Sequence, residues 1–91
     1  MADEVDLHIG RRIRRRRRIL QLTQRQLAAR VGVTFQQVQK YEYGEARIGA
    51  SRLLRISRTL EISLNYFFEG LDEPSSAPAS AAAARLSPPR S

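Results

Sequence analysis

Ile9, Ile13 and Leu20 recur at helical spacing, while Arg11, Arg14, Arg15 and Arg18 fall on the opposite side of the same helix. Arg17 lies inside the apolar arc and needs a carboxylate partner there if it is buried. The next stretch, "LTQRQLAARVGVTFQQVQKYEYG" (Leu22–Gly44), carries two helix starts of one design. Thr23 caps the first with Gln26 three residues on, and Leu22 and Leu27 flank them as a hydrophobic staple. Thr34, Gln37, Val33 and Val38 repeat that arrangement eleven residues later. Gly32 is the natural left-handed terminator of the first of these helices, and Gly44 of the second. Two short helices joined by a tight Gly-containing turn make a helix-turn-helix. A fourth helix is expected from Ser51 as its cap, with Leu53, Ile56 and Leu60 inward. A fifth is expected from Ser63, carrying Leu64, Phe67 and Phe68. No run alternates apolar and polar residues and there is no Asn-Gly hairpin signal, so the fold class is read as all-α.

From Asp72 the text changes to "DEPSSAPASAAAARLSPPRS", with Leu86 as its one large apolar residue. Such a segment cannot bury enough surface to offset its ordering entropy, so residues 72–91 are expected to form a disordered tail. With residues 1–4 read as a disordered N-terminus, the folded domain is expected over residues 5–71.

Charge changes the picture more than composition does. The 91-residue chain carries a formal net charge of +7, and "RRIRRRRR" (Arg11–Arg18) alone holds seven arginines. That imbalance points to a polyanionic partner, a nucleic acid or an anionic membrane surface. Most of the run reads as one solvated cationic helix face, from which Arg11 and Arg14 are placed to attract phosphates. With no cysteine and His8 as the only histidine, neither a disulfide framework nor a thiolate or His/Cys metal cluster is available. His8 itself is expected as a solvated surface group. No metal, cofactor or catalytic arrangement is expected. No apolar run approaches the ~20 residues of a bilayer span. The N-terminus "MADEVDLHIG" is acidic and has no apolar signal core, so a cytoplasmic location is expected. The apolar side of the first helix is needed for the core, which argues against a membrane-surface role.

The second helix of the motif has the more informative surface. Val38 and Tyr41 turn inward against Leu27, Ala28 and Val31, leaving Phe35, Gln36, Gln39, Lys40 and Tyr43 on the opposite face. Two amides, an amine and two aromatic rings share that face with no carboxylate. Gln makes paired hydrogen bonds to adenine edges, Lys reaches guanine acceptors, and an aromatic ring packs on a thymine methyl.

Over residues 9–70 the chain resembles the lambda-repressor-like, Xre-type helix-turn-helix family of bacterial and phage transcriptional regulators. The motifs are "IGRRIRRRR", "LTQRQLAARVGVTFQQVQKYEYG" and "SRLLRISRTLEISLNYFFEG". The pattern is most similar to the small regulators of alpha-proteobacteria that carry a "TFQQVQKYE.G" recognition helix. The resemblance implies five helices, binding to double-stranded DNA as a homodimer, and the second helix of the motif in the major groove. It implies that Phe35, Gln36, Gln39 and Lys40 face bases, and that Gln24, Thr34 and Arg47, the last in the loop "EARIGAS", meet phosphates. It also implies an ion pair between Arg17 and Glu42, and a dimer contact near the last helix, drawing on Tyr66, Phe67 and Leu71. The nearly uniform cationic face of the first helix departs from the mixed charges usual in the family.

The leading reading is therefore a sequence-specific transcriptional regulator, a dimeric repressor without catalytic chemistry. The alternative is an antitoxin or adaptor that binds a partner protein through the tail or the last helix as well as DNA. Structured RNA is a weaker candidate, because its readers seldom use this motif.

Overall fold

In the computed structural model, which describes residues 3–71, the first helix α1 (Glu4–Ile19) begins where Asp3 Oδ1 accepts the Val5 amide at 2.7 Å. Glu4 and Asp6 occupy its first turn and Arg16, Arg17 and Arg18 its last, the distribution that the helix dipole favours. Residues 3 and 4, expected outside the domain, thus belong to it as cap and first turn. The expected tail, residues 72–91, lies outside the described residues.

α1 ends without a glycine. Gln21 takes the left-handed conformation (φ 60°), Gln21 N–H donates to the Arg18 carbonyl and Leu22 N–H to that of Arg17, both at 3.0 Å. α2 (Gln24–Val31) starts with the complete capping box: Thr23 Oγ1 accepts the Gln26 amide at 3.0 Å, and Gln26 Oε1 accepts the Thr23 amide at 2.8 Å. α3 (Phe35–Glu42) is capped by Thr34 Oγ1, which accepts the Gln37 amide at 3.0 Å. Between them Gly32 adopts φ 85° and its N–H closes on the Ala28 carbonyl at 2.9 Å, which turns the chain sharply into α3.

α4 (Ala50–Thr59) begins earlier than expected. Its N-cap is Gly49, whose carbonyl accepts the Leu53 amide at 2.9 Å, and Ser51 lies inside the first turn. Ala50 has the highest helix propensity of any residue and carries the helix back past the serine. The fifth helix is also corrected. The described residues hold four α-helices, and Leu64–Phe68 forms a 3-10 turn with no side-chain cap from Ser63. Five residues give too few internal bonds for an α-helix, and packing of the Phe67 ring holds the turn in place. No strand occurs among the described residues, in keeping with an all-α fold.

The core is one cluster drawn from every element: Ile9 and Ile13 of α1, Leu27, Ala28 and Val31 of α2, Val38 and Tyr41 of α3, Leu53 and Ile56 of α4, then Leu60 and Phe67. Leu20, Leu22, Val33, Ile48 and Ile62 pack around it from the connections. Phe67 and Leu60 are fully buried, and truncating a buried phenylalanine to alanine typically costs about 3–5 kcal/mol. α1 and α3 approach closely because Gly10 has no side chain. A Cβ there would overlap the Tyr41 carbonyl oxygen and lie 2.7 Å from that of Glu42. His8 is half-buried rather than solvated, its Nε2 2.8 Å from the Glu69 carbonyl oxygen. No helix among the described residues is long and apolar enough to cross a membrane.

Candidate nucleic-acid interface

α3 presents its functional face because its other face is committed to the core. Val38, Tyr41 and Glu42 are buried, Phe35 and Gln39 are half-buried, and Gln36, Lys40 and Tyr43 are exposed. At 100° per residue, Phe35, Gln39, Tyr43, Gln36 and Lys40 fall within one arc of about 140°. The helix therefore brings together on one surface all four residues expected to face bases. Phe35 carries a cation on its ring: the Arg25 guanidinium carbon lies 4.3 Å from the ring centroid.

At the flank of that surface, beside Phe35 and Gln39, lies a buried charge. Glu42 is 2% exposed, and its carboxylate accepts three hydrogen bonds. Arg17 Nε donates to Oε2 at 2.6 Å, Arg17 Nη2 to Oε1 at 3.1 Å, and Gln24 Nε2 to Oε1 at 3.0 Å. Arg17 Nη1 also donates to the Leu22 carbonyl at 2.8 Å. The network joins α1, the connection before α2, the first residue of α2 and the last residue of α3. It fixes the orientation of α3 and leaves the buried carboxylate fully satisfied, which a buried charge requires. One N–H of Gln24, expected to face a phosphate, is thus spent on Glu42.

The other residues expected near phosphates are dispersed. Thr34 is exposed at the start of α3, with its hydroxyl oxygen accepting the capping bond. Arg47 is 77% exposed and leans toward the first turn of α1, 3.7 Å from Asp3 Oδ2 and 3.6 Å from Asp6 Oδ2. Solvent screening leaves such surface pairs little energy, so Arg47 can turn to another anion at small cost. Arg11, Arg14, Arg15 and Arg18 line one shallow groove on α1 together with Ile19. Arg14 links this groove to the end of α3, its guanidinium carbon 5.8 Å from the centre of the Tyr43 ring.

Three arginines of the run are struts, two more than the sequence suggested. Arg12 Nε donates to the Tyr66 carbonyl at 2.9 Å, and its Nη2 pairs with Glu69 at 3.0 Å. Arg16 Nε donates to the Leu60 carbonyl at 2.9 Å, an orphan acceptor at the end of α4. A signal for both was present. Ile9, Arg12, Ile13, Arg16 and Leu20 form one continuous stripe at three- and four-residue steps, so these two arginines border the core.

Of the expected dimer residues, Tyr66 and Phe67 meet edge to face, ring centroids 6.2 Å apart, but they do not form one exposed surface. Phe67 is 0% exposed and belongs to the core, which removes it as an interface residue. Tyr66 is half-buried beneath Arg12, whose guanidinium carbon is 3.9 Å from the ring centroid. Leu71 is half-buried. The apolar side chains this segment does expose are Leu64 and Phe68, each 40% accessible. No group of three or more His, Cys, Asp or Glu residues gathers among the described residues.

The helix-turn-helix family model HTH_3 matches residues 13–67, from the middle of α1 to Phe67. The chain belongs to the Xre-type helix-turn-helix family. It is 53% identical over 72 residues to the HTH-type transcriptional regulator y4aM of Sinorhizobium fredii, a match covering 79% of this chain and 50% of that protein. It is also 53% identical over 68 residues to a transcriptional regulator in the ATPase CF(0) region of Rhodospirillum rubrum, covering 75% of this chain and 63% of that one. The chain thus spans 50% and 63% of the length of these two relatives. Among solved structures it is similar to the P22 c2 repressor in complex with synthetic operator 9T. That similarity has 34% identity and a TM-score of 0.64, and covers 68% of this chain and 94% of that one.

Proposed function

We propose that this chain is a sequence-specific DNA-binding transcriptional regulator, a repressor without catalytic activity that acts in the bacterial cytoplasm. It places α3 in the major groove, where Gln36, Gln39 and Lys40 hydrogen-bond to base edges and Phe35 packs on a thymine methyl. The observation that carries this reading is the free face of α3, rich in amides and aromatic rings, without a carboxylate, and anchored at its flank by the Arg17–Glu42–Gln24 network. The relatives described as transcriptional regulators and the operator-bound P22 c2 repressor support it. Thr34, the free N–H of Gln24, Arg47, Arg11 and Arg14 contact the phosphates that set the register of α3 on the duplex.

The bound form is a homodimer joined near the 3-10 turn, with Leu64 and Phe68 as its apolar contacts beside Tyr66 and Leu71. Two recognition helices one turn of B-DNA apart, about 34 Å, read a near-palindrome with half-sites about 10 bp apart. Gel-shift titration of an operator selected from random duplexes, with and without excess non-specific competitor, tests the reading. Gln36→Ala and Lys40→Ala should each lose about 1–3 kcal/mol of discrimination between operator and random DNA while keeping the wild-type melting temperature. Undiminished discrimination in both variants would remove α3 as the reading element.

A further inference from the structure

Arg25 has no role in the framework described above. It lies in the first turn of α2, is exposed, and has no hydrogen bond or ion pair among the described residues. It nonetheless rests against an aromatic ring, with its guanidinium carbon 4.3 Å from the centroid of the Phe35 ring. The other two arginine–aromatic contacts differ from it. Arg12 is closer to its ring, at 3.9 Å, but two of its donors are taken by the Tyr66 carbonyl and Glu69, which tie it to the 3-10 turn. Arg14 lies 5.8 Å from its ring, a looser contact. Arg25 combines a close ring contact with an unfilled set of N–H donors. A guanidinium resting on a ring is biased toward that position and still presents a planar fork at its edge.

The position of this pair gives it a meaning. Phe35 is the first residue of α3, beside Gln36, so Arg25 stands at the N-terminal edge of the free face. Phe35 has no donor or acceptor with which to distinguish one base from another, and its ring responds only to an apolar group such as the thymine methyl. Arg25 supplies the missing polar component from the neighbouring helix.

We propose that Arg25 is a base-reading residue delivered from α2. Its fork takes O6 and N7 of a guanine, while the Phe35 ring packs on the methyl of an adjacent thymine. This rests on the placement of α3 in the major groove, and it adds a guanine next to a thymine at one edge of each half-site.

The test compares base preferences of wild type, Arg25→Ala and Arg25→Lys on a randomised duplex library at fixed salt. Wild type should favour guanine beside thymine at one position per half-site. Arg25→Ala should lose roughly 5- to 150-fold of that preference and keep the preferences set by Gln36 and Lys40. Arg25→Lys should recover part of it. Replacing that guanine by 7-deazaguanine, which lacks N7, should weaken wild type and leave Arg25→Ala unaffected. The proposal is overturned if Arg25→Ala weakens every sequence equally and flattens the salt dependence by ~0.9 in slope, the mark of a phosphate contact. It is equally overturned if Arg25→Ala lowers the melting temperature and leaves the base profile intact, since Arg25 then only packs on Phe35. A wild-type protein with no base preference at any position removes the major-groove reading itself, an outcome distinct from a profile that only Arg25→Ala fails to change.

Discussion

Arg17 is one arginine in a run of seven, and its burial separates it from the outward-facing ones. Its guanidinium grips the Glu42 carboxylate through two bonds and spends a third donor on the Leu22 carbonyl. Removing one partner of such a pair leaves an uncompensated charge inside, whereas replacing both by apolar groups removes the need for either. Arg17→Gln should therefore cost about 3–5 kcal/mol, a large share of the roughly 5–15 kcal/mol that stabilises a typical domain. The double variant Arg17→Met with Glu42→Leu should be markedly more stable than Arg17→Gln. Thermal unfolding followed by circular dichroism measures both. If Arg17→Gln melted with wild type, the pair would be a surface ornament and the orientation of α3 would have another source.

At the scale of elements, the tight approach of α1 to α3 depends on the absence of a side chain at Gly10. Alanine has the better helix propensity by about 1 kcal/mol, so on an isolated helix Gly10→Ala would stabilise. In this fold the added Cβ meets the carbonyls of Tyr41 and Glu42, which are backbone and cannot rotate away. Overpacking of this kind costs about 1–3 kcal/mol, and Gly10→Ala should lower the melting temperature despite the gain in propensity. Gly49 gives the opposite case: a Cβ there meets nothing within 4 Å, and the residue caps α4 without a side-chain bond. Gly49→Ser should raise stability by a few tenths of a kcal/mol in the same measurement. Opposite signs for the two substitutions are the outcome that tests the assignment. These elements also show what can be read from sequence alone. The two threonine starts and the Gly32 turn are legible because capping and left-handed termination are local chemistry. The ends of α1 and α4 are not, because Gln21 and Glu61 take the left-handed conformation without a glycine to mark it. The start of α4 misleads because Ser51 is a good cap whose neighbour Ala50 is a better helix former. The exposed arc of α3 follows from its period, whereas the partners of Arg12, Arg16 and Arg25 lie on other elements and come into reach only once the chain is folded.

At the scale of the whole molecule, the arginine run divides by function. Arg12, Arg16 and Arg17 tie α1 to the 3-10 turn, to the end of α4 and to α3. Arg11, Arg14, Arg15 and Arg18 line an outward groove and have no hydrogen bond or ion pair among the described residues. Removing their four charges takes the formal net charge from +7 to +3 (7 − 4) without touching the core. Because their field is long-range and reads no base, changing all four to glutamine should weaken operator and random DNA by similar factors. It should also flatten the plot of log affinity against log salt, by up to ~0.9 for each phosphate that is no longer neutralised, and leave the melting temperature near wild type. Changing Arg12 and Arg16 to glutamine instead should lower the melting temperature, because the Leu60 and Tyr66 carbonyls lose their charged donors, and should leave the salt slope nearly unchanged. Fluorescence anisotropy titrations at several salt concentrations, paired with melting curves, separate the two sets. If the fourfold variant unfolded while the Arg12 and Arg16 double variant melted like wild type and lost its salt dependence, the division of the run into struts and DNA-facing charges would be reversed.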